Sequence, residues 1–167
     1  MDLIKKINSH SLNSVKEVCA ELETDDFALR RFTGILFGDD AELTRKASWP
    51  FYHFAQVHPE KCRKYVGKML TLLETSGLHN AVYRNITGAF QHVDVPEKYA
   101  GRLIDVCVNL VAQPKTLPAI TANCITILHK YCNEYPDLKP EIEILLEGLD
   151  MSKPSIRSRV NALFRKP

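Results

Sequence analysis

Apolar positions recur along most of this chain with a helical period. Leu43, Ala47, Phe51, Phe54 and Val57 step by four, four, three and three residues, which places them on one stripe of a helix with Lys46, His53 and Gln56 off it. Pro59 then suits the first turn of a new helix, where its missing N–H costs nothing. Tyr65, Met69, Leu72 and Leu73 carry the apolar spacing on until Thr75-Ser76-Gly77 stops it. The arrangement repeats. Val82, Ile86, Ala89, Phe90 and Val93 form a second face closed by Asp94, and Pro96 opens a helix bearing Tyr99, Leu103, Val106, Cys107 and Leu110. Ile120, Cys124, Ile127, Leu128 and Tyr131 form a third, followed at Pro136 or Pro140 by a helix with Ile142, Leu145, Leu146 and Leu149. Upstream, Ser11 or Asn13 can cap a helix carrying Val15, Val18, Cys19 and Leu22. Asp25-Asp26 can cap one carrying Phe27, Arg30, Arg31, Ile35 and Leu36 before Gly38. A last helix opens at Pro154. No stretch alternates apolar and polar residues between turn signals, so strands are not expected.

The anchors His58-Pro59-Glu60, Val95-Pro96-Glu97 and Tyr135-Pro136-Asp137 lie 37 and 40 residues apart. A fixed period in this range marks stacked helical hairpins, because one hairpin cannot bury its apolar face alone. The expected architecture is all-α: a single domain of about nine helices in a short right-handed α-α superhelix. Residues 1–40 form an N-terminal helical cap, residues 41–77, 78–114 and 115–150 form three hairpin repeats, and residues 151–167 form a C-terminal helix. Pro50 is the discordant residue. It would remove a backbone hydrogen bond and kink the first of these helices unless that helix begins near Ala47 or Ser48.

With 167 residues, 45% of them hydrophobic and 25% charged, the chain is long enough to bury a core. It opens with Met1-Asp2-Leu3-Ile4-Lys5-Lys6-Ile7 rather than an apolar leader, and no run approaches the roughly 18 apolar residues of a membrane span. A cytoplasmic protein without membrane contact is the expectation. The five cysteines, Cys19, Cys62, Cys107, Cys124 and Cys132, are odd in number and include no Cys-x-x-Cys, so free thiols are expected instead of a disulfide framework. Net charge alternates, being −3 over residues 1–40, +3 over 41–75, +1 over 76–115, −4 over 116–150 and +5 over 151–167. That alternation argues against one basic stripe tracking a phosphate backbone.

The stretch Arg45-Lys46-Ala47-Ser48-Trp49-Pro50-Phe51 through Ala55 and His58-Pro59-Glu60 resembles a repeat motif of small bacterial HEAT-like proteins. The helix pairs of residues 41–150 resemble HEAT or armadillo-type repeats. The resemblance implies an α-solenoid whose usual work is to bind other proteins, and it says more about fold than about function.

No motif of catalysis accompanies it. There is no Gly-rich phosphate loop, no Gly-x-Ser-x-Gly and no His-Glu-x-x-His. His53 and His58 are five residues apart and point about 140° from one another on a helix, so neither they nor His92, His129 and Cys132 make a metal-ligand set. No cofactor is expected. The candidate binding residues are Arg45, Trp49, Tyr52, Arg84 and Arg157. Arg45 and Arg84 hold matching repeat positions, Thr121 interrupts the series, and Arg157 follows after 36 more residues. Such a row either braces neighbouring repeats through helix C-terminal carbonyls or meets carboxylates or phosphates on a partner. Trp49 and Tyr52 are either inter-repeat packing or aromatic anchors. The expected function is a non-enzymatic interaction or scaffold module for a protein partner. The alternative is a nucleic-acid-binding protein similar to the HEAT-like DNA alkylation-repair glycosylases.

Overall fold

The computed structural model describes residues 2–165. Met1, Lys166 and Pro167, the outer ends of the expected segments 1–40 and 151–167, lie outside the described residues. Among these there are eleven α-helices, two 3₁₀ turns and no strand. The chain divides into two compact units, Met1–Pro96 and Glu97–Pro167.

The first unit holds α1 (Leu3–Ser9), α2 (Leu12–Thr24), α3 (Asp26–Leu36), α4 (Ala41–Val57), α5 (Pro59–Cys62), α6 (Val66–Leu73) and α7 (Asn80–Phe90). Most of them start on a side chain that accepts an orphan N–H. Asp2 receives Ile4, Ser11 exchanges bonds with Ser14 in a capping box, and Asp25 receives Phe27. Asp40 receives both Glu42 and Leu43, and His79 receives Ala81 through Nδ1. α4 is the hub, packed by α1, α2, α3 and α7. Phe32, Phe51, Phe54, Leu22, Leu29, Met69 and Ile86 are almost wholly withdrawn from solvent.

Several local expectations change. α1 carries only Leu3 and Ile7 as buried anchors, too few for its period to stand out. α4 runs unbroken through Pro50, so the helix starts at Ala41 and not near Ala47 or Ser48. Pro50 is buried beside Ile7, Val15 and Val18, and its carbonyl accepts from Cys19 Sγ at 3.5 Å. The single helix expected after Pro59 is three pieces, α5, a 3₁₀ turn Arg63–Tyr65 and α6. Tyr65 leaves helical geometry at φ −100°, ψ 2°, where the aromatic Tyr65, β-branched Val66 and Gly67 are all weak helix formers. Phe27 and Val57 are 62% and 70% exposed. Phe27 faces away from the buried Ala28, Leu29, Phe32 and Leu36, and Val57 ends its helix after the stripe has drifted off the core side.

The second unit holds α8 (Glu97–Ala112), α9 (Pro118–Glu134), α10 (Lys139–Glu147) and α11 (Pro154–Phe164), with a 3₁₀ turn at Pro136–Leu138. α9 is its hub, contacted by α8, α10 and α11. Pro118 and Pro154 occupy first turns, where no N–H is missed. Leu103, Cys107, Ile120, Cys124, Ile125, Leu128 and Ile142 form the core, as the helical spacing of most of them requires.

Candidate functional site

One face of α4 is buried and the other carries the chemistry. Glu42, Arg45, Trp49, Tyr52 and Gln56 recur at three- and four-residue steps, His53 stands four residues after Trp49, and all remain partly or fully exposed, so they share a stripe. The stripe is ordered by its own contacts. Arg45 meets both carboxylate oxygens of Glu42, Nε at 2.8 Å and Nη2 at 2.7 Å, and Lys46 Nζ lies 3.3 Å from the same carboxylate. The Arg45 fork holds the Glu42 carboxyl down to about 2, aided by Lys46. Lys46 also donates to Asn8 Oδ1 at 3.0 Å.

The rings form a chain along the stripe. His10 stands edge-on to Trp49 at 5.1 Å, Trp49 lies 6.0 Å from His53, His53 lies 5.3 Å from Tyr52, and Tyr52 reaches His92 at 6.4 Å. Partial burial lowers the pKa of His10, and Arg45 and Lys46 lower it further. The ring of Tyr52 covers Gly88 of α7, and its hydroxyl accepts from Gln56 Nε2 at 3.0 Å.

Each candidate residue has a definite place. Arg45, Trp49 and Tyr52 share the α4 stripe. Arg84, exposed on α7, is one helical turn before Gly88, so it shares the side of α7 that Tyr52 covers. Arg157 is in the second unit, exposed on α11, and donates through Nη1 to the Met151 carbonyl at 3.4 Å.

The bonds that tie each hub to a neighbouring helix of its own unit come from other residues. Asn85 Nδ2 donates to Ser48 Oγ at 2.9 Å across α4 and α7, and both are buried. In the second unit Arg159 Nη1 reaches the Ala122 carbonyl at 3.4 Å, and it also bonds Thr126 Oγ1. Both connections span 37 residues, and Ser48, Asn85, Ala122 and Arg159 fall on that single period. The arginine row, with steps of 39, 37 and 36 residues through Thr121, concealed this register. Its signal was nonetheless present, as the 37-residue distance from Pro59 to Pro96.

Beside Arg45 the first unit opens a groove of about 790 Å³ between the start of α4, one side of α6, the loop to α7 and Val82. Its aliphatic side includes Leu72, Leu78 and Val82, and its polar side includes Arg45, Lys68 and Thr75. No sequence pattern pointed to it, because it is assembled from four separated segments.

Among the described residues no group of three His, Cys, Asp or Glu side chains is placed to hold a metal. His58 stands 3.6 Å from Glu23 and 3.7 Å from Glu60, and His129 packs edge-on to Phe164. All five cysteines are free thiols. Burial pushes Cys19 up to about 11 and Cys62 up to about 12, and it raises Cys107 well above the usual thiol range with help from neighbouring Cys124. Cys19, Cys62 and Cys107 therefore stay protonated at neutral pH. No helix among the described residues is long and apolar enough to cross a membrane.

Helices bonded at a 37-residue register within each unit are the construction of a helical-repeat protein. A family model of the HEAT repeat domain matches residues 3–166, and the chain belongs to the HEAT repeat family. HEAT repeats generally mediate protein interaction, and their fold is an all-α solenoid. No curated protein and no solved structure matches the chain.

Proposed function

We propose that this chain is a non-enzymatic interaction or scaffold module that presents the α4 stripe, with Arg84 of α7, to a protein partner. The observation that carries this reading is the placement of Trp49 and Tyr52, half-exposed, in line with Arg45 on the hub helix of the first unit. Large flat rings and a planar guanidinium are the groups that concentrate binding energy when an interface dries them. Arg157 extends the proposal to the second unit, and the hairpins 41–77, 78–114 and 115–150 are its proposed repeat units.

The test compares partner capture by the full chain with capture by Arg45→Ala/Arg84→Ala and by Trp49→Ala/Tyr52→Ala, alongside the melting temperature of each. Capture lost at a nearly unchanged melting temperature supports the stripe as the contact surface. Capture retained by both variants rejects it. Binding to duplex DNA that weakens steeply as salt rises would replace this reading with the nucleic-acid one.

A further inference from the structure

We propose that the groove beside Arg45 receives an extended peptide segment of the partner, one that offers an apolar side chain followed closely by a carboxylate. This rests on the interaction reading above and names the chemistry of the partner. The groove's volume, about 790 Å³, falls within the range of ordinary ligand sites. It is neither enclosed nor flat, so a chain can enter and leave it.

The floor selects the apolar side chain. Leu72 and Leu78, both half-buried, line it together with the buried Val82, and an aliphatic group laid on the two leucines removes apolar surface from water on both partners.

The wall selects the charge. Most of its polar groups already have partners: Thr71 Oγ1 donates to Gly67 O and Thr75 Oγ1 to Thr71 O, each at 3.0 Å, while the Thr75 carbonyl accepts from Tyr83 Oη at 3.1 Å. His79 Nδ1 is committed to the Ala81 N–H. Glu42 is neutralised by Arg45 and Lys46. Lys68 is different, being exposed on α6 and having no ion pair among the described residues. Its ammonium group is the one cation of the lining without an ion pair among the described residues, since Arg45 is held by Glu42, and a carboxylate is its complement. A phosphate backbone is a poor match, because Asp39 and Glu42 balance Arg45 and Lys68 around the groove, which leaves one local cation and not the cationic track that a line of phosphates needs.

The experiment titrates the full chain, labelled with ¹⁵N, with three blocked peptides: acetyl-Ser-Leu-Ser-Glu-amide, acetyl-Ser-Leu-Ser-Lys-amide and acetyl-Ser-Ser-Ser-Glu-amide. The expected result is saturable shifts of the Leu72, Thr75, Gly77 and Val82 amides with the first peptide. Exchanging Glu for Lys weakens binding by up to about five-fold, the range of one exposed ion pair, and exchanging Leu for Ser removes it. In Lys68→Glu the preference between the Glu and Lys peptides reverses. An equal response to all three peptides, no groove shifts at millimolar peptide, or a preference unchanged by Lys68→Glu overturns the proposal. The titration needs no partner, so its outcome is independent of the capture experiment. A captured partner indifferent to Lys68→Glu removes the groove and leaves the α4 stripe standing.

Discussion

Asn85 Nδ2 donates to Ser48 Oγ at 2.9 Å, tying α7 to α4 between residues that are both withdrawn from water. Ser48 uses its own hydroxyl hydrogen on the Arg45 carbonyl at 2.7 Å, so the oxygen is left free to accept. Replacing Asn85 with Ala strands that acceptor and should lower stability by about 1–3 kcal/mol. Asn85→Asp should cost more, because a buried carboxylate would face an oxygen whose proton is already committed. Urea denaturation of both variants checks the order; an Asp variant as stable as the Ala variant contradicts the assignment.

Gly88 should show a sign reversal that depends on its neighbour. A β-carbon there would stand 2.8 Å from Tyr52 Cε2, so Gly88→Ala must displace the ring, at a cost of about 1–3 kcal/mol. Alanine inside a helix is otherwise favoured over glycine by about 0.5–1 kcal/mol. Gly88→Ala should therefore destabilise the natural chain but stabilise Tyr52→Ala. A double-mutant cycle by thermal denaturation reads the coupling directly, and two changes of the same sign would mean that the ring does not hold this place in solution.

Phe54 and Leu103 lie in the cores of the first and second units, with 0% and 1% exposure. Phe54→Ala should cost about 3–5 kcal/mol and Leu103→Ala about 2–5 kcal/mol. Denaturant midpoints measure both. A loss below about 1 kcal/mol at either site, less than Phe→Ala or Leu→Ala usually costs in a packed core, would place that residue outside the core.

Acid should weaken the α4 stripe through two groups. Glu42 has a folded pKa of about 2, below its ordinary 4.5, so its contribution is complete above 4.5 and is lost as pH falls toward 2. His10 also has a folded pKa below its ordinary 6.5. The folded chain then holds fewer protons than the unfolded one, and stability falls as pH drops below 6.5. In Arg45→Gln the Glu42 carboxyl should titrate closer to 4.5 and His10 should move up. Carboxyl and imidazole NMR titrations follow each group; a Glu42 curve unmoved by Arg45→Gln would show that the bidentate pair does not form.

Thiol reagents should find little in the native protein. Cys62 is buried and raised to about 12, and Cys107 is higher than usual for the same cause. Alkylation of both should be slow at neutral pH until denaturant unfolds the chain. Rapid native labelling of Cys107 would contradict the burial of the α8 and α9 contact.

Much of this architecture is written in local order. The spacing of Leu43, Ala47, Phe51 and Phe54 sets a helix and its buried side, Asp40 and Ser11 fix two starts, and the step from Pro59 to Pro96 sets the 37-residue period. These signals are readable because helical side chains recur on one face every three or four residues, whatever the helix packs against. Packing alone decides which polar residues join one helix to the next, since that depends on the crossing of two helices and not on either sequence. Arg45 turns to Glu42 on its own helix, while Asn85 and Arg159 make the links that a row of arginines suggested. The groove belongs wholly to this second kind of information. Arg45, Lys68, Leu78 and Val82 come from α4, α6, a loop and α7, and no periodicity along a chain records the space left where four segments meet.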